Sequence, residues 1–150
     1  MFETLDEFDR KVAQAVGSAF PDWMSLAVVE EANGEHAFAL TVQPPSHNIA
    51  HPLRIDTWGG EVTVWFEYYH MHFDEFCDGT DHDAISLTKK FVSGAYAVVS
   101  YWRDDQWCGS TLLEEGSIPT NNEEYPYANR IRVRSWTGTL DDDITCIPRG

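Results

Sequence analysis

EVTVWFEYYHMHFDEFCDGTDHD, residues Glu61 to Asp83, opens as an alternating strand, sets two histidines two residues apart and closes on a run of carboxylates. By parity Val62, Val64, Phe66 and Tyr68 share one face, and strict alternation carries that face on through His70, His72 and Asp74. Glu61, Thr63, Trp65, Glu67, Tyr69, Met71 and Phe73 share the other. The apolar side changes near Tyr69, so a bulge or the strand running past its cover is expected there.

Trp58-Gly59-Gly60-Glu61, just before this stretch, should join it to the preceding strand LRIDTW as a hairpin, and Asn33-Gly34 should do the same for SLAVVEE and HAFALTV. Further upstream, Phe2, Leu5, Phe8, Val12, Val16 and Phe20 recur at helical spacing, predicting a helix over 4–19 with Thr4 and Glu7 as a capping box and Pro21 beyond its end. Downstream, Thr80 or Asp81 is expected to cap a second helix striped by Ala84, Thr88, Phe91, Val92 and Ala95. AYAVVSYW, WCGSTLLEE, NRIRVRSWTG and ITCIPR then read as strands, and residues 115–127 as a long loop. The expected fold is α+β: one domain over 1–150, a largely antiparallel sheet of about six to eight strands and two helices packed against it.

The chain has 150 residues and a formal charge of −15, with 43% hydrophobic residues, so it is folded rather than disordered. Arg54 is the sole basic residue between Lys11 and Lys89, a span holding twelve acids from Asp22 to Asp83. A field of that sign repels nucleic acid and anionic membrane and steers basic partners. The start MFETLDEFDRK has no apolar signal region and no apolar run approaches a membrane span, so a cytoplasmic location is expected. Three cysteines without metal-ligand spacing read as reduced packing residues.

His70 and His72 on one strand face, with Asp74, could ligate zinc or iron, and His47 and His51 could add to them; a closed site needs three or four convergent ligands, and two are evident. DEFCDGTDHDAI fails as a calcium loop at Phe76 and at Ile85, where a bidentate Glu is required. Cys108 in QWCGS is read on a strand, away from the helix start or histidine that activates a thiol. No nucleophile elbow, phosphate loop or dinucleotide fingerprint occurs, and no cofactor is implied. Arg130, Arg132 and Arg134 line one strand face and are read as a cross-strand ladder with carboxylates such as Glu114 or Glu61, in preference to an anion site. Trp65 between Glu61 and Glu67, followed by Asp74, Glu75 and Asp78, has the composition of a hot spot for a basic protein.

Three segments, LRIDTWGGEVTVWFEYYHMHFDEF, VVSYWRDDQWCGSTLLE and NRIRVRSWTGTLDDDI, make the chain resemble small acidic bacterial immunity proteins that accompany polymorphic toxins. The resemblance implies a non-enzymatic cytoplasmic inhibitor of a cognate toxin domain, with a nuclease as one such toxin, and supplies no catalytic residues. On the residues alone, the partner-binding set is Glu61, Trp65, Glu67, Asp74, Glu75 and Asp78. The alternative is a small metal- or ligand-dependent enzyme using His70 and His72. The sequence leaves open the partner's identity, the oligomeric state and which sheet face is exposed.

Overall fold

The computed structural model describes residues 2–114, 119 and 121–149. Among these residues two α-helices and nine strands follow in the order α1 (Glu7–Ala19), β1 (Val28–Ala32), β2 (Glu35–Val42), β3 (Leu53–Asp56), β4 (Val62–Phe66), β5 (Tyr69–Phe73), α2 (Ala84–Val92), β6 (Ala97–Arg103), β7 (Gln106–Leu113), β8 (Arg130–Ser135) and β9 (Asp142–Thr145). The expected α+β class and antiparallel pairing are present. The strands are divided between two sheets, ordered β1-β2-β3-β4-β5 and β7-β6-β8-β9. The chain forms two compact units, residues 1–43, 52–66 and 70–89 in the first, and 44–51, 67–69 and 90–150 in the second.

In the first unit the register aligns Leu40, Ile55 and Val64 side by side across three strands, each at most 1% exposed. Helix α1 packs against β2 and contributes the buried Val12 and Val16. Its start lies at Asp6, whose Oδ1 accepts the Asp9 N–H at 2.7 Å, so the cap falls two residues beyond the expected Thr4. A 3₁₀ segment, Pro21–Leu26, follows, and it takes up the first residues of the SLAVVEE run. The Asn33-Gly34 turn has φ of 54° and 81°, the positive pair that a two-residue hairpin requires. Gly59 and Gly60 are also positive, and they join β3 to β4 as expected.

The largest departure falls inside EVTVWFEYYHMHF. It is two strands, with a turn at Glu67 and Tyr68, where the sequence suggested one strand changing face. Neither turn residue is Gly, Asn or Asp, so no local signal marks it. Glu67 takes φ of 54°, a region costing a glutamate on the order of 1 kcal/mol. Bonds within the second unit offset that cost: the Ala50 and His51 amides donate to Glu67 Oε1 at 2.7 and 3.1 Å, and the Glu67 N–H donates to the His51 carbonyl at 2.9 Å.

Helix α2 is likewise capped later than expected. Asp83, 3% exposed, accepts the Ser86 N–H at 2.8 Å and the Asp78 N–H at 3.2 Å. Burial raises its pKa, but these bonds outweigh burial and hold it below the usual carboxylate range.

In the second unit Ala97, Val99, Tyr101, Ile131 and Val133 form one buried face. The other face carries the arginine stripe. Arg134 Nη2 donates to both Asp143 carboxylate oxygens at 3.1 and 3.3 Å, and Arg132 lies over the Trp102 ring at 4.9 Å. The ladder expected for these arginines is made in part: Arg134, and Arg132 Nε at 3.8 Å, face Asp143 of β9 instead of Glu114 or Glu61, while Arg130 Nη2 lies 3.4 Å from the Asp104 carbonyl. Of the expected 115–127 loop, residues 115–118 and 120 lie outside the described residues.

Candidate functional site

Register builds the outer face of the first sheet. Arg54 pairs with Trp65 and Asp56 with Thr63 across β3 and β4, while Glu30 stands on β1. Arg54 is the sole base in its acidic span, and it uses its whole guanidinium. Nη1 and Nη2 donate to Glu30 at 2.9 and 2.6 Å, a bidentate pair, and Nε donates to Asp56 Oδ2 at 2.9 Å. Two indoles complete the network: Trp58 Nε1–H donates to Glu30 Oε1 at 2.8 Å and Trp65 Nε1–H donates to Asp56 Oδ2 at 2.9 Å.

Electrostatics follows from these bonds. The Arg54 guanidinium holds the Glu30 carboxyl at about 2, against an ordinary 4.5, with burial opposing and the Trp58 bond adding to the effect. Asp56 is 4% exposed, and its carboxylate accepts from Arg54 Nε, from the Trp65 indole and from the Trp58 amide.

Trp65 remains 38% exposed although its ring is fixed twice, by the Asp56 bond and by stacking on His70 at 4.6 Å. The strip continues through His70 to His72, whose Nδ1 lies 2.8 Å from Thr63 Oγ1 and 3.1 Å from Glu61 Oε1. In a hydroxyl–histidine–carboxylate relay the two partners occupy opposite ring nitrogens. Here both crowd Nδ1, so His72 is not oriented as a relay base.

The expected site residues are thus divided. Glu61 and Trp65 lie on the outer face; Asp74, Glu75 and Asp78 are exposed in the segment between β5 and α2, where Asp78 Oδ1 accepts the Thr80 N–H at 2.8 Å. Glu67 does not belong with them: parity stops at Phe66, and Glu67 is 5% exposed within the second unit. Burial pushes its pKa up, only partly countered by the Ala50 and His51 amides and by the charges of His51 and Arg134. The alternative ligand set His70, His72 and Asp74 is not assembled either. Among the described residues no three His, Cys, Asp or Glu side chains are arranged to hold a metal ion, and His51 packs its ring edge-to-face on Tyr68.

The residues missed from sequence are Glu30, Arg54, Asp56 and Trp58. One signal pointed to them: a lone arginine among twelve acids has to be shared. A separate cleft of about 460 Å³ near the start of α1 is lined by Asp6, Asp9, Thr57 and Trp58. Burial raises the Asp9 pKa there, against a bond from Thr57, and Asp6 is the helix cap.

Comparison with protein-family models, with curated proteins and with solved structures finds no match for this chain. Among the described residues no helix is long and apolar enough to cross a membrane.

Proposed function

We infer that the chain is a non-enzymatic binding protein that neutralises a basic toxin domain in the cytoplasm by docking on the outer face of its first sheet. The observation that carries this reading is Trp65: a large aromatic left 38% exposed, immobilised by Asp56 and His70, and bordered by carboxylates. An aromatic fixed before docking loses little side-chain entropy on binding, and such residues dominate interface energetics. The chain's −15 charge supplies attraction to a basic surface and faster encounter with it. The likeness to immunity proteins noted from sequence agrees with this chemistry.

The test uses the C-terminal domain of any large secreted protein encoded beside this chain's gene. Co-expression with the chain should restore growth that the domain alone abolishes. Trp65→Ala should weaken binding by about 30-fold, the effect of a hot-spot residue, and Glu61→Gln by only a few-fold, mostly through the association rate. An association rate indifferent to salt would remove the electrostatic part of the proposal. Unchanged affinity in Trp65→Ala would remove the face.

A further inference from the structure

In the second unit one buried side chain organises residues 121–128. Asn122 is 3% exposed, and its Nδ2 lies 3.0, 2.8 and 2.9 Å from the carbonyls of Pro126, Ala128 and Ile147. Backbone bonds from Tyr125 to Asn122 and from Ala128 to Tyr125 close the turn. Tyr125 lies flat on β7 at Gly109, where any Cβ would run into its ring, and it packs on Tyr101 at 4.8 Å. Gly109 is thus required by the tyrosine's close approach. The segment is held before any ligand arrives.

This arrangement forms a cleft of about 430 Å³ whose lining among the described residues includes Trp107, Glu124, Tyr125, Pro126 and Tyr127. Trp107 and Tyr127 are 49% and 54% exposed. Single exposed aromatics are ordinary, but two of them in one preorganised cleft with a carboxylate form a recognition surface. Tyr127 already accepts a cation from within the chain: the Arg103 guanidinium stands 4.8 Å from its ring centre, and Arg103 Nη1 lies 3.4 Å from the Tyr127 carbonyl.

We propose that this cleft binds the guanidinium or ammonium side chain of a basic protein. Aromatic faces attract cations through their quadrupole, Glu124 supplies a counter-charge, and the chain's net charge favours a basic occupant over an acidic one. The biological occupant rests on the basic partner inferred above, whereas the cleft's chemistry can be measured without that partner.

The experiment titrates the ¹⁵N-labelled full chain with N-acetyl-arginine methylamide at low salt, with N-acetyl-alanine methylamide as control. The expected result is saturable shifts greatest at the Trp107 indole N–H and at the amides of 106–108, 124, 125 and 127, absent with the alanine compound. Tyr127→Leu and Glu124→Gln should each weaken binding about three-fold, the scale of an exposed cation–π contact, while Trp65→Ala leaves it unchanged. Shifts scattered over the acidic surface without saturation would overturn the proposal, as would equal affinity in Tyr127→Leu and Glu124→Gln. So would an oligoproline peptide that shifts the cleft where the arginine compound does not. A toxin domain that needs Trp65 while the cleft is inert sinks this inference alone; a saturable cleft in a chain that neutralises no toxin sinks the outer-face reading alone.

Discussion

The two units handle buried charge in opposite ways. On the outer face of the first, one arginine is saturated: Arg54 gives Nε, Nη1 and Nη2 to two carboxylates, which also take two indole donors. In the second unit, Glu67 Oε2 and the Nε atoms of Arg130, Arg132 and Arg134 are buried without a hydrogen bond to protein. The result is two glutamates with opposite titration. Glu30 is held near 2 by its arginine, while Glu67 is pushed above the ordinary range by burial. The contrast teaches that the partner's geometry, more than the amount of charge nearby, decides whether a carboxylate taken out of water is stabilised.

Breaking the saturated network should have the largest effect. Arg54→Met strands Glu30 and Asp56 and should cost about 2 kcal/mol, less than a fully buried pair because Arg54 and Glu30 side chains are 30% and 35% exposed. Because Glu30 is more acidic folded than unfolded, its contribution is present above the ordinary 4.5 and is lost as pH falls toward about 2. Denaturant unfolding at several pH values should show a larger acid-side loss in the wild type than in Arg54→Met, where the lowered pKa of Asp83 still contributes. An unchanged profile would mean the network contributes no linkage.

Glu67 should show the reverse sign. Its folded carboxyl binds a proton more tightly than the unfolded one, so its contribution is present below the ordinary carboxylate range and is lost as pH rises through the folded value. Glu67→Gln keeps the acceptor for the Ala50 and His51 amides and removes the buried charge. It should raise stability at pH 7 by about 1 kcal/mol and flatten the decline on the alkaline side. If Gln destabilised the protein as much as Ala does, the charge itself would be needed at that site.

The smallest effect is expected for Asp143→Ala. Asp143 is 58% exposed, and Arg134 would keep its bonds to the Val133 and Asp142 carbonyls. A change of about 0.5 kcal/mol in a melting series would sharpen the contrast with Arg54, and a loss as large as that of Arg54→Met would erase it.

Much of this contrast was legible along the chain, though unevenly. The arginine stripe followed from strand alternation at residues 130–134, but two of its three arginines meet Asp143 in place of the expected carboxylates and Arg130 meets a backbone carbonyl. Glu61 and Trp65 were placed on one face by the same alternation. Glu67 was carried along with them because parity extends until something interrupts it, and its interruption is made by amides of residues 50 and 51, seventeen and sixteen positions away. Glu30 was missed because its pairing with Arg54 spans 24 positions.

The sequence by itself determined the elements whose causes are local: the helix periodicities, the hairpins at Asn33-Gly34 and Gly59-Gly60, the strand faces and the acidic field. Tertiary structure alone decided that the strands separate into two sheets, that EVTVWFEYYHMHF folds back at Glu67, and which carboxylates are paired or stranded. The reason is range. Backbone preference and side-chain alternation act over a few residues, whereas a positive φ on a glutamate, or a guanidinium shared by two carboxylates, is stabilised only by groups that folding brings in from elsewhere.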